Sequence, residues 1–515
     1  MIVDLDQSTA ILDAGTRYDI CICGSGFAGI ALALRLPSSL KVLILEGGGA
    51  GYEERSQAVY QGRNVGHAYF DLNATRLRQF GGTSALWSGW CRPLDDRDFV
   101  SQAHIPNSGW PIGAEALAPY RAQAEAFLDV REHLADWGQA MPDLSDLRRI
   151  EFAWSSPTLR IADRYQDTLR ESPNIDCLLN ANLTDIRLSD DLSHAVSVEV
   201  RNYQGMVRQI EVGNVVLAAG GLENPRLLLN FNKQRPEGLG NAHDLVGRYF
   251  HEHPHFIAGN FILDDEVAYR LARAQAPGTR ILLTQFLTPS DAFMRRHETL
   301  NFAMRVVHTN NNQGLDFSDK LRRLLCTTSV TRAVGDALDS DSLHCRQDPF
   351  FNGGDALRDG YIKLVSGSGP NPDSRVTLDD ERDQFGLRRA QLDWRLGAIE
   401  KRTFRAAMME IARQFVAHDL GRVQIYDWVL DKDAPFPGFP QEVAGHHHMG
   451  TTRMAAGPET GVVDSDQRVF GIDNLFVAGC SVFPYGGHAN PTLTIVQMAM
   501  RLADHLARVS TPSRV

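Results

Sequence analysis

A glycine-rich turn between a buried strand and a helix is the feature that most constrains this fold. Residues 18–23 are mostly apolar and predict a strand, and the motif GxGxxG follows at 24–29. The next run forms helix readily until Pro37, and a second apolar strand, 41–45, ends at Glu46. This order of elements is typical of a dinucleotide-binding βαβ unit.

Each part of the motif has a physical role in holding a pyrophosphate. Gly24 permits the tight turn, Gly26 lets the backbone approach the phosphates, and Gly29 lets helix and strand pack closely. The helix N-terminus offers free N–H groups and the positive end of its dipole. Glu46 can accept hydrogen bonds from a ribose and would repel a 2′-phosphate. The alternative is a plain turn of three glycines in an ordinary α/β domain.

Three later blocks, 78–90, 215–229 and 474–480, also combine glycine turns with apolar or small residues, and a helix is predicted over 493–506. We therefore predict an α/β protein whose Rossmann-type domain is built from discontinuous segments. A substrate domain of α+β type with a mainly antiparallel sheet fills the rest, and 371–400 is one of its strand pairs. The predicted nucleotide-domain segments are 15–100, 175–250 and 441–510, with a cap at 101–174 and the substrate domain at 251–440.

Composition excludes several classes of function. The 515 residues carry a formal net charge of −11, which disfavours binding to nucleic acid or to an anionic membrane. The N-terminus lacks the pattern of a signal peptide, and no run is long and apolar enough to span a bilayer, so a cytoplasmic protein is expected. The seven Cys are scattered without a CxxC pair, which argues against a disulfide scaffold or a zinc site.

Polar clusters near the end of the chain are the candidates for chemistry. Residues 445–454 contain three consecutive His, and 484–494 contain a further His and an Asn. We favour a general base with an amide opposite it; a metal site and a purely structural role are the alternatives. An earlier trio, His251, His253 and His255, is interpreted as structural, with a channel lining, a metal pair or plain surface left open. The segment 306–345 is read as a lid or an irregular loop.

The blocks together resemble the glucose–methanol–choline (GMC) family of flavin oxidoreductases. The resemblance is carried in family order by CGSGFAGI with LILEGGG, FGGTSALWSGWCRPLD, VVLAAGGLENPRLLL, PNPDSRVTLDDERDQFGLRRAQLDW, HHHMGTTRM and VVDSDQRVFGIDNLFVAGCSVFPYGGHANPTLTIVQMAMRLADHL. The last two look most like the branch of pyranose oxidases and bacterial glycoside 3-oxidising enzymes. The resemblance implies FAD, a Rossmann-type domain and a six-stranded substrate sheet.

The family's motifs imply the site residues. His447 begins the H-x-x-G-T pattern and Asn490 precedes Pro-Thr, so these two are the implied catalytic pair, with His488 as a weaker candidate. Pyranose oxidases offer a His that bonds covalently to the flavin, and Leu86 stands at that place here, so non-covalent FAD is expected. The residues expected to hold FAD are Gly24, Ser25, Gly26, Phe27, Ala28, Gly29, Glu46, Gly81, Gly82, Thr83, Ser84, Trp87, Leu183, Ala219, Gly220, Gly479, Cys480, Asn490, Pro491 and Thr492.

The implied activity is oxidation of a secondary hydroxyl of a sugar, glycoside or related cyclic polyol to a ketone. His447, near its ordinary pKa, would take the hydroxyl proton while hydride passes to the flavin N5. The alternatives are an FAD enzyme for a non-sugar or primary alcohol, a flavin enzyme that forms a C=C bond, a nicotinamide dehydrogenase, and a flavin-bearing binding protein. Oxygen, a quinone or a redox protein could accept the electrons, and the oligomeric state is left open.

Overall fold

The computed structural model describes residues 1–12, 15, 17–133, 144–155, 157–264, 267, 284–308, 359–438 and 442–510. Most of the segment 306–345, interpreted above as a lid or loop, lies outside these described residues. Within the described part of the chain, no helix is both long enough and apolar enough to cross a membrane.

The elements are numbered in chain order. The strands are β1 Ile2–Asp4, β2 Tyr18–Cys23, β3 Val42–Leu45, β4 Gly62–Asn64, β5 Trp90–Cys91, β6 Val130–His133, β7 Leu147–Arg149, β8 Ala153–Ser155, β9 Ile175–Leu179, β10 Asn182–Leu188, β11 Ala195–Arg201, β12 Val207–Leu217, β13 His255–Leu263, β14 Thr284–Pro289, β15 Phe302–His308, β16 Asp359–Ser366, β17 Arg375–Arg382, β18 Arg388–Asp393, β19 Gly421–Ile425 and β20 Leu475–Val477. The α-helices are α1 Phe27–Arg35, α2 Glu54–Gln57, α3 Asp96–Phe99, α4 Arg121–Phe127, α5 Ile161–Glu171, α6 Glu223–Asn230, α7 Asp291–His297, α8 Ala398–Ala417, α9 Asp427–Leu430 and α10 Thr492–Ser510.

A doubly wound parallel sheet forms one of the two halves of the molecule. Its strands follow the order β1-β9-β3-β2-β12-β20 with parallel pairing throughout, and β11 and β10 continue it antiparallel from the first half of β12. The residues of β3 and the last four of β2 are buried, as strands covered on both faces require. The parallel strands come from the beginning, middle and end of the chain, so the predicted assembly from discontinuous segments is confirmed.

A second sheet covers the other half. Within the described residues it has six strands in the order β19-β13-β16-β15-β14-β7, and every pairing is antiparallel. Helix α8 packs against β19, β13 and β16 and buries one face of the sheet in an apolar core. The predicted α/β class with a mainly antiparallel substrate sheet is thus confirmed.

The strand pair predicted at 371–400 forms, but it stands apart from the large antiparallel sheet. Strands β17 and β18 make a hairpin, and β18 pairs in parallel with β4, which comes from residues 62–64. This small sheet lies beside α6 of the parallel-sheet half. Local alternation predicts the strands, but it carries no information about which sheet they join.

Two segments far apart in the chain run antiparallel between the two large sheets. His251 pairs with Met449 and Pro254 with Ala444 as isolated bridges, and the His255 N–H donates to the Val443 carbonyl at 3.1 Å. This pairing brings the trio of alternating His beside the run of three consecutive His. The candidate site is built at this seam.

Candidate active site

A single cavity of about 610 Å³ runs from the GxGxxG loop to the seam and on to the antiparallel sheet. At one end its wall includes Gly24, Gly26 and Glu46, and further along it includes His447 and Asn490. Clefts of this size are typical of sites for cofactors and small substrates.

The glycine turns give this cavity a backbone wall. A Cβ at Gly24 would lie 2.6 Å from the Ala218 carbonyl oxygen, so only glycine permits this contact between β2 and the end of β12. A Cβ at Gly26, Gly220 or Gly479 would meet no atom within 4 Å, so these backbones border open space. Gly26 caps α1, and no side chain caps the helix there. Free N–H groups beside open space suit the pyrophosphate of a dinucleotide.

Most of the residues predicted to hold the cofactor line this cavity. They are Gly24, Ser25, Gly26, Phe27, Ala28, Glu46, Gly82, Thr83, Ser84, Trp87, Ala219, Gly220, Gly479, Cys480, Asn490, Pro491 and Thr492. Leu86, which stands where pyranose oxidases have the His that bonds to the flavin, also lines the cavity.

Three predicted cofactor residues do not line the cavity. Gly29 has a packing role, since a Cβ there would lie 1.9 Å from the Gly24 oxygen. The Gly81 N–H donates to Ser25 Oγ at 3.0 Å and so braces the loop from behind. Leu183 differs most from the prediction: it pairs with Val200 and packs into the core of the parallel-sheet half, so its side chain does not reach the cavity wall.

His447 lines the cavity and makes a close contact with a second imidazole. Its Nδ1 lies 2.9 Å from Nδ1 of His253, and the two rings are nearly perpendicular. The His447 N–H donates to both carboxylate oxygens of Glu252 at 2.7 Å. Both the ring and the backbone of His447 are therefore held by the segment that precedes β13. The sequence analysis interpreted His253 as a structural residue, and that interpretation did not include its contact with the predicted base.

Glu252 is the buried centre of this hydrogen-bonded group. It also accepts from the Tyr69 hydroxyl at 2.7 Å and from the His253 N–H at 2.9 Å. Because the Tyr69 proton is used on Glu252, the same hydroxyl accepts from Nε2 of His448, 2.9 Å away. Burial raises the pKa of Glu252 to about 7. One carboxyl group thus orients the loop that carries the three consecutive His.

The second predicted cluster supplies an amide and another imidazole. Asn490 lines the cavity, and no described residue hydrogen-bonds its side chain, so the amide is available to a ligand. His488 is buried on the same wall, and neither of its ring nitrogens has a partner within the described ranges. Tyr485 fixes this loop, since its hydroxyl accepts from the Asn301 N–H at 3.2 Å.

Burial keeps these imidazoles neutral. It lowers the pKa of His447 to about 3, with a smaller contribution from neighbouring His255 and His446. It also lowers the pKa of His488 to about 3. The sequence analysis expected an ordinary pKa for His447, and that expectation left out the loss of solvent around the ring. A neutral ring keeps a lone pair with which to accept a proton at physiological pH.

The antiparallel sheet supplies a third part of the wall, which the sequence analysis did not identify. Its cavity face carries Phe286, Arg305, Lys363 and His255, and Glu442 joins them from the loop before the three His. The signal was present as a charged residue inside an apolar run, Arg305 after Met304 in β15 and Lys363 after Ile362 in β16.

The fold and the cavity define the class of protein: an α/β protein with a dinucleotide-binding type of loop and a separate antiparallel sheet, which share one cavity. Among solved structures, a pyridoxine 4-oxidase from "Mesorbium loti" has this fold, with a TM-score of 0.54, 18% identity and coverage of 95% of this chain and 99% of that one.

Comparison of sequences shows which proteins this chain is similar to. The GMC oxidoreductase family model matches residues 370–499. A 2-methyl-1,2-propanediol dehydrogenase of Mycolicibacterium austroafricanum is 27% identical, with 84% of this chain and 81% of that one covered. A C-glycoside 3-oxidase of Microbacterium trichothecenolyticum is 35% identical over 25% of this chain and 23% of its own. The chain is thus similar to the GMC oxidoreductases, and like the relatives named it is an oxidoreductase that acts on CH–OH groups.

Proposed function

We propose that this enzyme oxidises a secondary hydroxyl of a sugar, glycoside or related cyclic polyol to the ketone, with His447 as the base. The observation that carries the proposal is the shared cavity: His447 and Asn490 line the same wall that continues to the GxGxxG loop. A substrate there would have a proton acceptor and an amide beside the cofactor.

The chain's own residues suit the proton transfer. For Nε2 of His447 to accept a hydroxyl proton, Nδ1 must carry the ring's hydrogen and donate it to Nδ1 of His253, 2.9 Å away. Charge developing on the substrate oxygen raises the proton affinity of this ring in the transition state, which offsets its low pKa. Asn490 would donate to the same oxygen and hold the carbon in position.

The cofactor that the family implies fits the residues present. Gly26 and the start of α1 would hold the pyrophosphate, and the wall from Gly82 to Trp87 would hold the ring system. Glu46, which accepts from the Ser25 N–H and hydroxyl, would hold the ribose. FAD, when bound, supplies the hydride acceptor for the substrate carbon. We propose that it is held without a covalent bond, because Leu86 has no group that could form one. Acid precipitation is then expected to leave the flavin in the supernatant.

Two observations favour different substrates. A match over 25% of this chain to a C-glycoside 3-oxidase at 35% identity favours a sugar or glycoside. The match that spans 84% of this chain is to a diol dehydrogenase, which favours the second candidate, a small non-sugar alcohol. The electron acceptor we propose is oxygen, a quinone or a redox protein, and reoxidation rates of the reduced flavin with each would separate them.

The direct test is anaerobic reduction of the bound flavin. Monosaccharides, glycosides, cyclic polyols and short diols are mixed with the purified enzyme, and loss of flavin absorbance is followed. We expect bleaching by at least one cyclic polyol and recovery of a ketone product. Bleaching by diols alone would support the second candidate, and an oxidised spectrum with the whole panel would remove both.

The role of His447 is tested by His447→Ala. This variant is expected to reduce its flavin roughly 100-fold more slowly, or slower still, while retaining the cofactor, because only the proton acceptor is lost. His194→Ala changes an exposed imidazole of the other half and serves as the matched control. A His447→Ala enzyme that keeps the parental rate would exclude this residue as the base.

A further inference from the structure

The antiparallel sheet carries two cations side by side on its cavity face. Arg305 on β15 and Lys363 on β16 are directly opposite each other in the antiparallel register, and both line the cavity. Like charges at opposed positions of two antiparallel strands destabilise a sheet. A purely structural role does not account for this pair.

One of these cations has an ionic partner within the described residues and the other has none. Lys363 Nζ lies 2.5 Å from one oxygen of Glu442, whose other oxygen lies 3.0 Å from Nδ1 of His255. Arg305 makes no ion pair or hydrogen bond to any described residue, and its Nε is buried without a partner. This part of the wall therefore has an excess of positive charge.

Aromatic rings hold the Arg305 side chain in place. The central guanidinium carbon lies 5.4 Å from the centre of the Trp90 ring and 5.5 Å from that of Phe286. Both rings line the cavity with it. Contacts of this kind occupy the faces of a guanidinium and leave its N–H edge free, and that edge matches the two oxygens of a carboxylate.

We propose that Arg305, assisted by Lys363, binds a carboxylate of the substrate, so that the enzyme acts on a hydroxylated acid of the uronate type. This inference rests on the proposed function, because it assigns the far end of the same substrate. The Lys363–Glu442–His255 chain connects the two ends: the His255 ring centre lies 6.2 Å from that of His447. One sugar-sized molecule can therefore reach both the cations and the base.

The test measures binding, so it does not depend on turnover. The oxidised holoenzyme is titrated calorimetrically with D-glucuronate and D-galacturonate, and with D-glucose, D-galactose and the uronate methyl esters as neutral counterparts. At least one uronate is expected to bind about tenfold or more tightly than its neutral counterparts. Arg305→Gln is expected to weaken that uronate about 10- to 100-fold and to leave the neutral sugars within about threefold.

Matched variants separate recognition from folding. Arg422→Gln makes the same change on β19 of the same sheet, outside the cavity, and is expected to bind like the parent. Without ligand, Arg305→Gln is expected to melt at the same temperature as the parent or higher, because it relieves the like-charge pair. An Arg305→Gln protein that melts lower and binds uronates like the parent would show a structural role and overturn the inference.

The remaining outcomes of the titrations decide whether the inference, the proposed function or both are correct. The inference is overturned if the acids and their esters bind equally well, or if neither uronate binds. D-glucose 6-phosphate is titrated as a further ligand. Arg305-dependent binding of this phosphate alone would indicate a phosphate site and would also overturn the inference. Flavin bleaching by a neutral sugar together with Arg305-independent uronate binding leaves the proposed function standing without the inference. Arg305-dependent uronate binding with a flavin that no polyol reduces supports the inference and removes the proposed function.

Discussion

At the scale of single residues, the tautomer of one imidazole depends on its neighbour. Nδ1 of His253 lies 2.9 Å from Nδ1 of His447, and one of these nitrogens must donate to the other. If His253 donates, His447 carries its hydrogen on Nε2 and cannot act as a base there. The proposed chemistry therefore requires His253 to be the acceptor, which makes it a positioning residue.

This requirement predicts different results for two substitutions of His253. His253→Asn keeps an acceptor near the position of Nδ1 and is expected to retain much of the flavin reduction rate. His253→Leu removes the acceptor and is expected to slow reduction about tenfold or more, with a changed pH profile and little change in substrate KM. Anaerobic stopped-flow across pH measures this, and equal rates in the two variants would contradict it.

At the scale of elements, a buried ion-pair cluster connects α6 to the β17–β18 hairpin. Arg226 donates to both oxygens of Glu223 and to Asp383 at 3.0 Å, and to the Arg388 carbonyl at 2.8 Å. All three charged side chains are buried. Burial of paired charges stabilises little by itself, but loss of one partner leaves the others uncompensated.

Arg226→Met is therefore expected to lower the free energy of unfolding by about 3–5 kcal/mol, as measured by chemical denaturation. Arg170→Met is the control, since Arg170 pairs with Asp167 at the exposed surface of α5 and its loss should cost less than about 1 kcal/mol. Similar losses in the two variants would argue against a special role for the buried cluster.

At the scale of the whole molecule, the seam holds many neutral imidazoles and is therefore sensitive to acid. Burial lowers the pKa of His251 and His255 to about 4 and that of His447 and His488 to about 3, and it holds the pKa of His253 and His448 well below the ordinary imidazole value. Below pH 6.5 the unfolded chain binds protons at these positions and the folded chain does not. Stability is then lost as the pH falls.

Four buried acids act in the opposite direction, because burial also raises the pKa of Glu46 and of Glu400. Burial raises the pKa of Glu252 and of Asp98 to about 7, so their contribution to stability decreases as the pH rises from the ordinary carboxyl range to 7. The six buried imidazoles outnumber these acids, so the loss of stability on acidification dominates. The melting temperature is therefore expected to fall by several degrees between pH 7.5 and pH 5.

A pair of His variants tests this expectation by differential scanning fluorimetry. His251→Asn removes a buried imidazole while keeping a donor for the Tyr249 carbonyl, and it should weaken the pH dependence. His418→Asn, at an exposed position after α8, should leave it unchanged. A melting temperature that rises on acidification would contradict the assignment of neutral imidazoles.

The parts of the molecule that are local in sequence were predictable from it. The β2–loop–α1–β3 unit and helix α10 follow from apolar periodicity and from the positions of glycine and proline. The pairing of His253 with His447 and of Arg305 with Lys363 did not follow, because each depends on the register of segments that are far apart in the chain. The same reason separates the β17–β18 hairpin from the sheet to which the sequence assigned it.

The cavity has walls of two origins, a loop that carries the proposed base and a sheet face that carries the cations. The loop is fixed through Glu252, and Lys363 of the sheet face is connected to it through Glu442. Phe286 and Arg305 are cross-strand neighbours on other strands of the sheet, so exchange of these two residues would change selectivity with little effect on reactivity, both in natural variation and in the laboratory.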